Sequence, residues 1–189
     1  MSRNTVLRTM HDVGLAAWFG GSLMGAIGLN AAAGAVDDPK QRGRVANAGW
    51  DRWTPVNAAA IGAHLLGAAG LLAANRDRVR NQQGVGASSV VKTALTGLAM
   101  GVTAYSRVQG AKVSQAGDVQ VEAGTAPRPD TPENVADAQR RLALLQWAIP
   151  GVTGALIAVS ALQGEQQRAD EQAEGRLRKA AKRLASVVD

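Results

Sequence analysis

At 189 residues the chain has the length of a single domain. With no cysteine it can form no disulfide, thiolate metal site or cysteine nucleophile. The net charge of +6 would favour nucleic acid in a soluble protein. A single Phe and a single Tyr leave no aromatic platform for stacking bases, so nucleic acid is not an expected partner and the excess charge is read as loop charge that orients a membrane protein.

Four stretches carry no charge: Val13 to Val36, Pro55 to Asn75, Thr93 to Ser106 and Leu142 to Gly164. A helix crossing a bilayer needs roughly 20 predominantly apolar residues. The expected fold is therefore all-α, a four-transmembrane-helix bundle followed by a cytoplasmic amphipathic C-terminal helix. A soluble Ala-rich bundle is the rival, but its helices would show charge opposite their apolar stripe. Val13 to Val36 offers only Ser22 and Asn30. A cleaved signal peptide could start at Arg3 and Arg8 and end at Ala33-Gly34-Ala35. The apolar run is longer than the usual stretch of about 7–15 residues, so a retained first helix is expected.

In chain order, residues 1–164 form the membrane domain, with spans at about 11–35, 55–75, 89–109 and 142–164. Asp38-Pro39 reads as a turn, and Gln41 to Asp51 as a short helix on the membrane surface. Pro55 suits the first turn of helix 2, where its missing N–H costs nothing. Lys92 enters the first turn of helix 3, the weakest span, and can snorkel to the interface. Ala126 to Pro132 is a proline-rich loop, with Asp130 or Thr131 placed to cap a helix that runs through Arg140 and Arg141 into helix 4. Pro150 predicts a kink there. No internal repeat stands out.

Residues 165–189 turn from acidic to basic. Arg176, Arg178, Lys179, Lys182 and Arg183 lie on a helix suited to an anionic lipid surface, or on a solvated tail that frays. With both termini cytoplasmic, the inside holds slightly more Lys and Arg than the outside. Trp50, Trp53, Tyr105 and Trp147 then fall near the outer interface. The expected location is a bacterial inner (plasma) membrane, crossed several times.

Small residues recur four apart: Gly21 and Gly25, Ala63 and Gly67, Gly97 and Gly101, Gly151 and Ala155, and Gly154 and Ala158. In lipid, small residues let backbones approach closely. These stripes are expected either to pack the bundle or to dock a partner membrane protein or a second copy.

Candidate chemistry is sparse. His64 lies mid-span, where an ionisable group is costly and is a functional hypothesis by default. It reads as a structural imidazole bonded to Asn30, Asn57 or a carbonyl, or as a ligand. With Met24 and Met100, each near the middle of another helix, it forms a soft donor set suited to copper(I). His11 is expected at a helix end, about 10 Å away in depth, which argues against bis-histidine haem. No acidic residue is expected inside a span, so a channel, a carrier or hydrolytic chemistry has little support.

The segment His11-x-x-Gly14-x-x-x-Trp18-x-Gly20-Gly21 resembles the first helix of copper-resistance D-like membrane domains and of small bacterial four-helix membrane proteins. The resemblance implies a helical membrane bundle, with His11 and Trp18 as the positions carried over. It implies metal handling for part of that group. The function expected first is a structural or accessory subunit without catalysis or cofactor, the second a copper- or haem-handling protein centred on His64, and the third a small-molecule channel or carrier.

Overall fold

The computed structural model describes residues 4–76 and 85–165. The expected amphipathic tail, with Arg176, Arg178, Lys179, Lys182 and Arg183, lies outside them. The described residues form four long helical rods and one hairpin. The first rod is compound: α1 (Thr5–Met24), a π-helical turn (Gly25–Leu29) and α2 (Asn30–Ala33) run on without a break. α3 spans Pro39–Ala74, α4 Val85–Gln115 and α5 Glu133–Glu165. Strands β1 (Val121–Ala123) and β2 (Ala126–Pro127) pair antiparallel between α4 and α5.

By length and composition, three rods are apolar enough to cross a membrane: Thr5–Ala33, Pro39–Ala74 and Glu133–Glu165. α4 is as long at 31 residues but is not among them. Its sequence explains the shortfall: Lys92, Thr93, Thr96, Gly97, Gly101 and Thr103 dilute the Val and Leu.

Several expected boundaries are corrected. Asp38-Pro39 is a helix start and not a free turn: the Asp38 carboxylate accepts from the Lys40 N–H at 3.0 Å, and Pro39 takes the first helical position. The separate surface helix over Gln41 to Asp51 does not exist, because α3 runs through it. Pro55 therefore lies inside α3. Helix 1 begins near Thr5 rather than His11, six residues earlier than expected. Thr131 ties down the loop, its hydroxyl accepting from the Arg128 N–H and donating to the Gln120 carbonyl.

α1 and α3 are antiparallel: Gly14 meets Ala60 and His64, Gly21 meets Trp53, and Gly25 meets Trp50. Trp50 and Trp53 thus turn inward onto glycines, while Tyr105 and Trp147 are exposed. α5 packs on α1 and on α4, so the rods lie in the order α3, α1, α5, α4. The row curls round, yet α3 and α4 scarcely touch, and the two cavities described below lie along that seam. At the centre, Leu15, Trp18, Ala99, Ile149 and Leu156 form the main core. Trp18 is fully buried and donates its indole N–H to Thr103 on α4 at 3.1 Å.

The hairpin closes one end. Asn30 donates to Gln146, accepts from the Trp50 indole (2.9 Å each), and through its carbonyl accepts the Gly124 N–H. Gln139 donates to the Ala123 and Gly124 carbonyls. Arg44 on α3 pairs with Asp118 outside the spans and holds that carboxyl below its usual range.

Polar side chains share the interior with the apolar core. His11, His64, Gln109, Gln139 and Thr153 are among the largest fully buried side chains, while Val6, Ile27, Leu66, Val90, Leu98 and Leu144 face outward.

Candidate functional site

The site begins with two glycines. A Cβ on Gly14 would stand 2.4 Å from the Ala60 carbonyl oxygen and 2.7 Å from the His64 nitrogen. A Cβ on Gly67 would stand 2.6 Å from the Leu7 carbonyl oxygen and 2.5 Å from the His11 nitrogen. Both are closer than any side chain allows, so only glycine lets the helices cross here. The two halves match: residues 7, 11 and 14 of α1 stand to α3 as 60, 64 and 67 stand to α1. Each half carries His-x-x-Gly.

The close crossing brings His11 and His64 together. Their rings lie 4.4 Å apart between centroids at 43°, and the residues are 1% and 0% exposed. The expected separation in depth is corrected: α1 starts at Thr5, so His11 sits almost two turns inside it, and the antiparallel α3 carries His64 to the same level. Asp12 lies within α1 and meets His11.

Hydrogen bonds fix the tautomers. His11 Nδ1 donates to the Asp12 carboxylate at 2.6 Å, and His64 Nδ1 donates to the His11 carbonyl at 3.1 Å. His64 therefore does not bond Asn30 or Asn57. With each Nδ1 carrying the proton, each Nε2 is a bare lone pair, and both are buried with no partner among the described residues. Leaving such a group unpaired costs about 1–3 kcal/mol. A carboxylate or carbonyl holding Nδ1–H while Nε2 stays free is the arrangement of a metal-ligating histidine.

The ring spacing tests which group fits. A single metal taken by both Nε2 atoms would sit about 3 Å from each ring centroid and see rings 4.4 Å apart at about 90°. A haem between the rings would separate their centroids by about 6 Å, so bis-histidine haem does not fit, for a reason different from depth. Among the described residues no group of three or more His, Cys, Asp or Glu surrounds the pair.

The expected His64, Met24 and Met100 constellation does not converge. Met24 is 58% exposed and lies thirteen residues beyond His11, about 20 Å along the rod. Met100 lines the same cavity as His11, a space of about 440 Å³ between α1, α3, α4 and α5 that also reaches Arg8, Asp12 and Lys92. A second cavity of about 340 Å³ lies further along the α3–α4 seam toward the hairpin, lined by Trp50, Asn57 and Arg107. The cavities are one helical turn apart, Leu65 and Met100 bordering the first and Ile61 and Thr103 the second.

The motif residues divide. His11, Gly14 and Trp18 share the buried face of α1, and Gly21 holds Trp53. A Cβ on Gly20 meets nothing. Of the packing stripes, Gly21, Gly25 and Gly67 are points of close approach, Ala63 is half-buried and Gly154 lies in ordinary contact with Phe19. Gly97, Gly101 and Gly151 face open space, a correction to the stripe expected to pack α4 inside the bundle.

No family model matches the chain, and no curated protein or solved structure is significantly similar to it.

Proposed function

We propose that this chain is a four-span protein of a bacterial inner membrane that binds a transition-metal ion, copper first, between His11 and His64. The observation that carries the reading is the pair of buried Nε2 atoms that have no partner among the described residues and whose Nδ1–H groups are already held. Imidazole suits copper, and Met100 on the adjoining cavity wall offers a soft donor within the same space. Large apolar side chains on the exterior, with polar groups among those buried, support the membrane part, since they suit lipid as solvent. α4 completes the four spans in this reading, with Val90, Val91, Leu98 and Val108 turned outward. The role is binding or handing on of the ion, not catalysis.

The test is a copper(I) titration of the purified protein in detergent against a chromophoric chelator. One ion per chain is expected. His11→Ala and His64→Ala should each abolish competition with the chelator, and Asp12→Asn should weaken binding about 10–100-fold by releasing the His11 tautomer. Full-strength binding by the double alanine variant, or no binding by the wild type, would overturn the reading.

An accessory-subunit role is favoured by a separate observation. Gly101 and Gly151 present open small-residue surface on α4 and α5, suited to a partner helix. Stoichiometric co-purification of another membrane protein, lost in Gly101→Leu, would support that role.

A further inference from the structure

The paired histidines lie close to one end of the bundle and far from the other. His11 stands about 9 Å from the start of α1 at Thr5 and about 33 Å from the end of the first rod at Ala33. His64, on the antiparallel α3, is likewise nearer Ala74 than Pro39. His11 borders the larger cavity, while His64 borders neither of the two cavities described above.

The larger cavity runs from His11 to the end of the bundle where α3 finishes and α4 begins, at Asn75 and Ser89. Oxygen atoms line the way: the Asp12 carboxylate and the hydroxyls of Thr93, Thr96 and Ser160. Each of these hydroxyls donates to a carbonyl of its own helix, which leaves its lone pairs for water or a small cation. Arg8 and Lys92 share the space, and neither stands without a partner.

Toward the hairpin the way is shut. Leu15, Trp18, Ala99, Ile149 and Leu156 fill the level next to the pair. The Trp18 ring lies 6.3 Å from the His64 ring between centroids, and its N–H is held by Thr103 on α4. The smaller cavity begins beyond this plug.

We propose that the His11–His64 site exchanges its ion with one side of the membrane only, through the larger cavity, His11 being the first ligand to receive the ion and the last to release it. Donor and acceptor of the ion then stand on the same side, that of the α4 start. The proposal rests on both the metal reading and the membrane reading.

The experiment uses the full-length protein loaded with copper(I) and sealed into phosphatidylcholine vesicles under a reductant. The impermeant chelator bathocuproine disulfonate is supplied outside in one sample and trapped inside in another, and the copper removed is read from its colour. One-sided exchange makes the two fractions add up to the bound copper, whatever the mix of orientations. Access from both sides lets each arm remove all of it. Gly97→Phe, which fills the larger cavity, should slow removal about tenfold, as a barrier higher by about 1.4 kcal/mol does, with copper affinity unchanged. Gly110→Phe, in the smaller cavity, should match wild type. Complete removal in each arm, removal in neither, an unchanged rate in Gly97→Phe, or equal slowing by Gly110→Phe overturns the one-sided route. The wild-type fractions decide alone if Gly97→Phe does not fold. A wild type that binds no copper overturns the metal reading, one that does not co-float with the vesicles overturns the membrane reading, and either takes this proposal with it.

Discussion

Gly14 and Gly67 are the residues on which the histidine pair depends. The atoms an added methyl would strike are backbone atoms of the facing helix, which cannot rotate aside. Gly14→Ala or Gly67→Ala should therefore cost about 1–3 kcal/mol or more by forcing α1 and α3 apart. Gly97→Ala, with nothing near its added carbon, should match wild type or exceed it slightly through better helix propensity. Thermal melts of the variants in one detergent check this, and a Gly14→Ala melt equal to wild type would mean the crossing is looser than described. At this scale the sequence was partly legible. His11, Gly14 and Trp18 stand out in one motif, and His64 stands out as an ionisable residue in an apolar run. Their meeting did not, because it depends on where α1 starts, and the charges at Arg8 and Asp12 hide the first two turns. The His-x-x-Gly repeated at His64 and Gly67 was the available signal.

Among the elements, the π-helical turn sets where the far end of the first rod points. Buried positions Trp18, Ser22, Ala26 and Asn30 fall four apart throughout, one residue more than an α-helix needs over three turns to keep one face inward. The wider turn absorbs the extra residue. Deleting Ile27, itself 60% exposed, should restore regular helix and rotate Asn30 by about 100° away from Trp50 and Gln146. Amide exchange at Gly124, whose N–H is held by the Asn30 carbonyl, should then quicken, while Ile27→Ala should leave it protected. The four-residue spacing was readable in the sequence, but apolar Gly and Ala on every side gave no contrast to mark it. Asp38-Pro39 was visible too, yet a turn and a capped helix start share those letters. Only the chain that follows, packed by Trp50 and Trp53 onto α1, decides between them.

For the whole molecule, the proposed membrane reading turns on which ends face which side. The hairpin and the start of α5 lie at one end of the bundle, and the start of α4 at the other. The absence of native cysteine makes single substitutions clean reporters. Asn134→Cys and Ala87→Cys, both exposed, should react with an impermeant maleimide from opposite sides in sealed vesicles, Asn134→Cys from outside the cell. Labelling of both from one side would remove α4 or α5 as a span. The sequence made the number of rods legible, because charge-free runs report length directly. It could not report their order, since α3 and α4 are adjacent in the chain but nearly separate in space, and loop length says nothing of which faces meet.

The crossing of α1 and α3 has one further consequence. Residues 7, 11 and 14 on one side do what residues 60, 64 and 67 do on the other, so the crossing has the local two-fold character of a contact between identical subunits. Beyond it the symmetry ends, because Gly21 and Gly25 take Trp53 and Trp50, for which the first rod has no counterpart at the matching positions. The covalent link through Gly34 to Asp38 keeps the match within one chain by making the correct neighbour the nearest one.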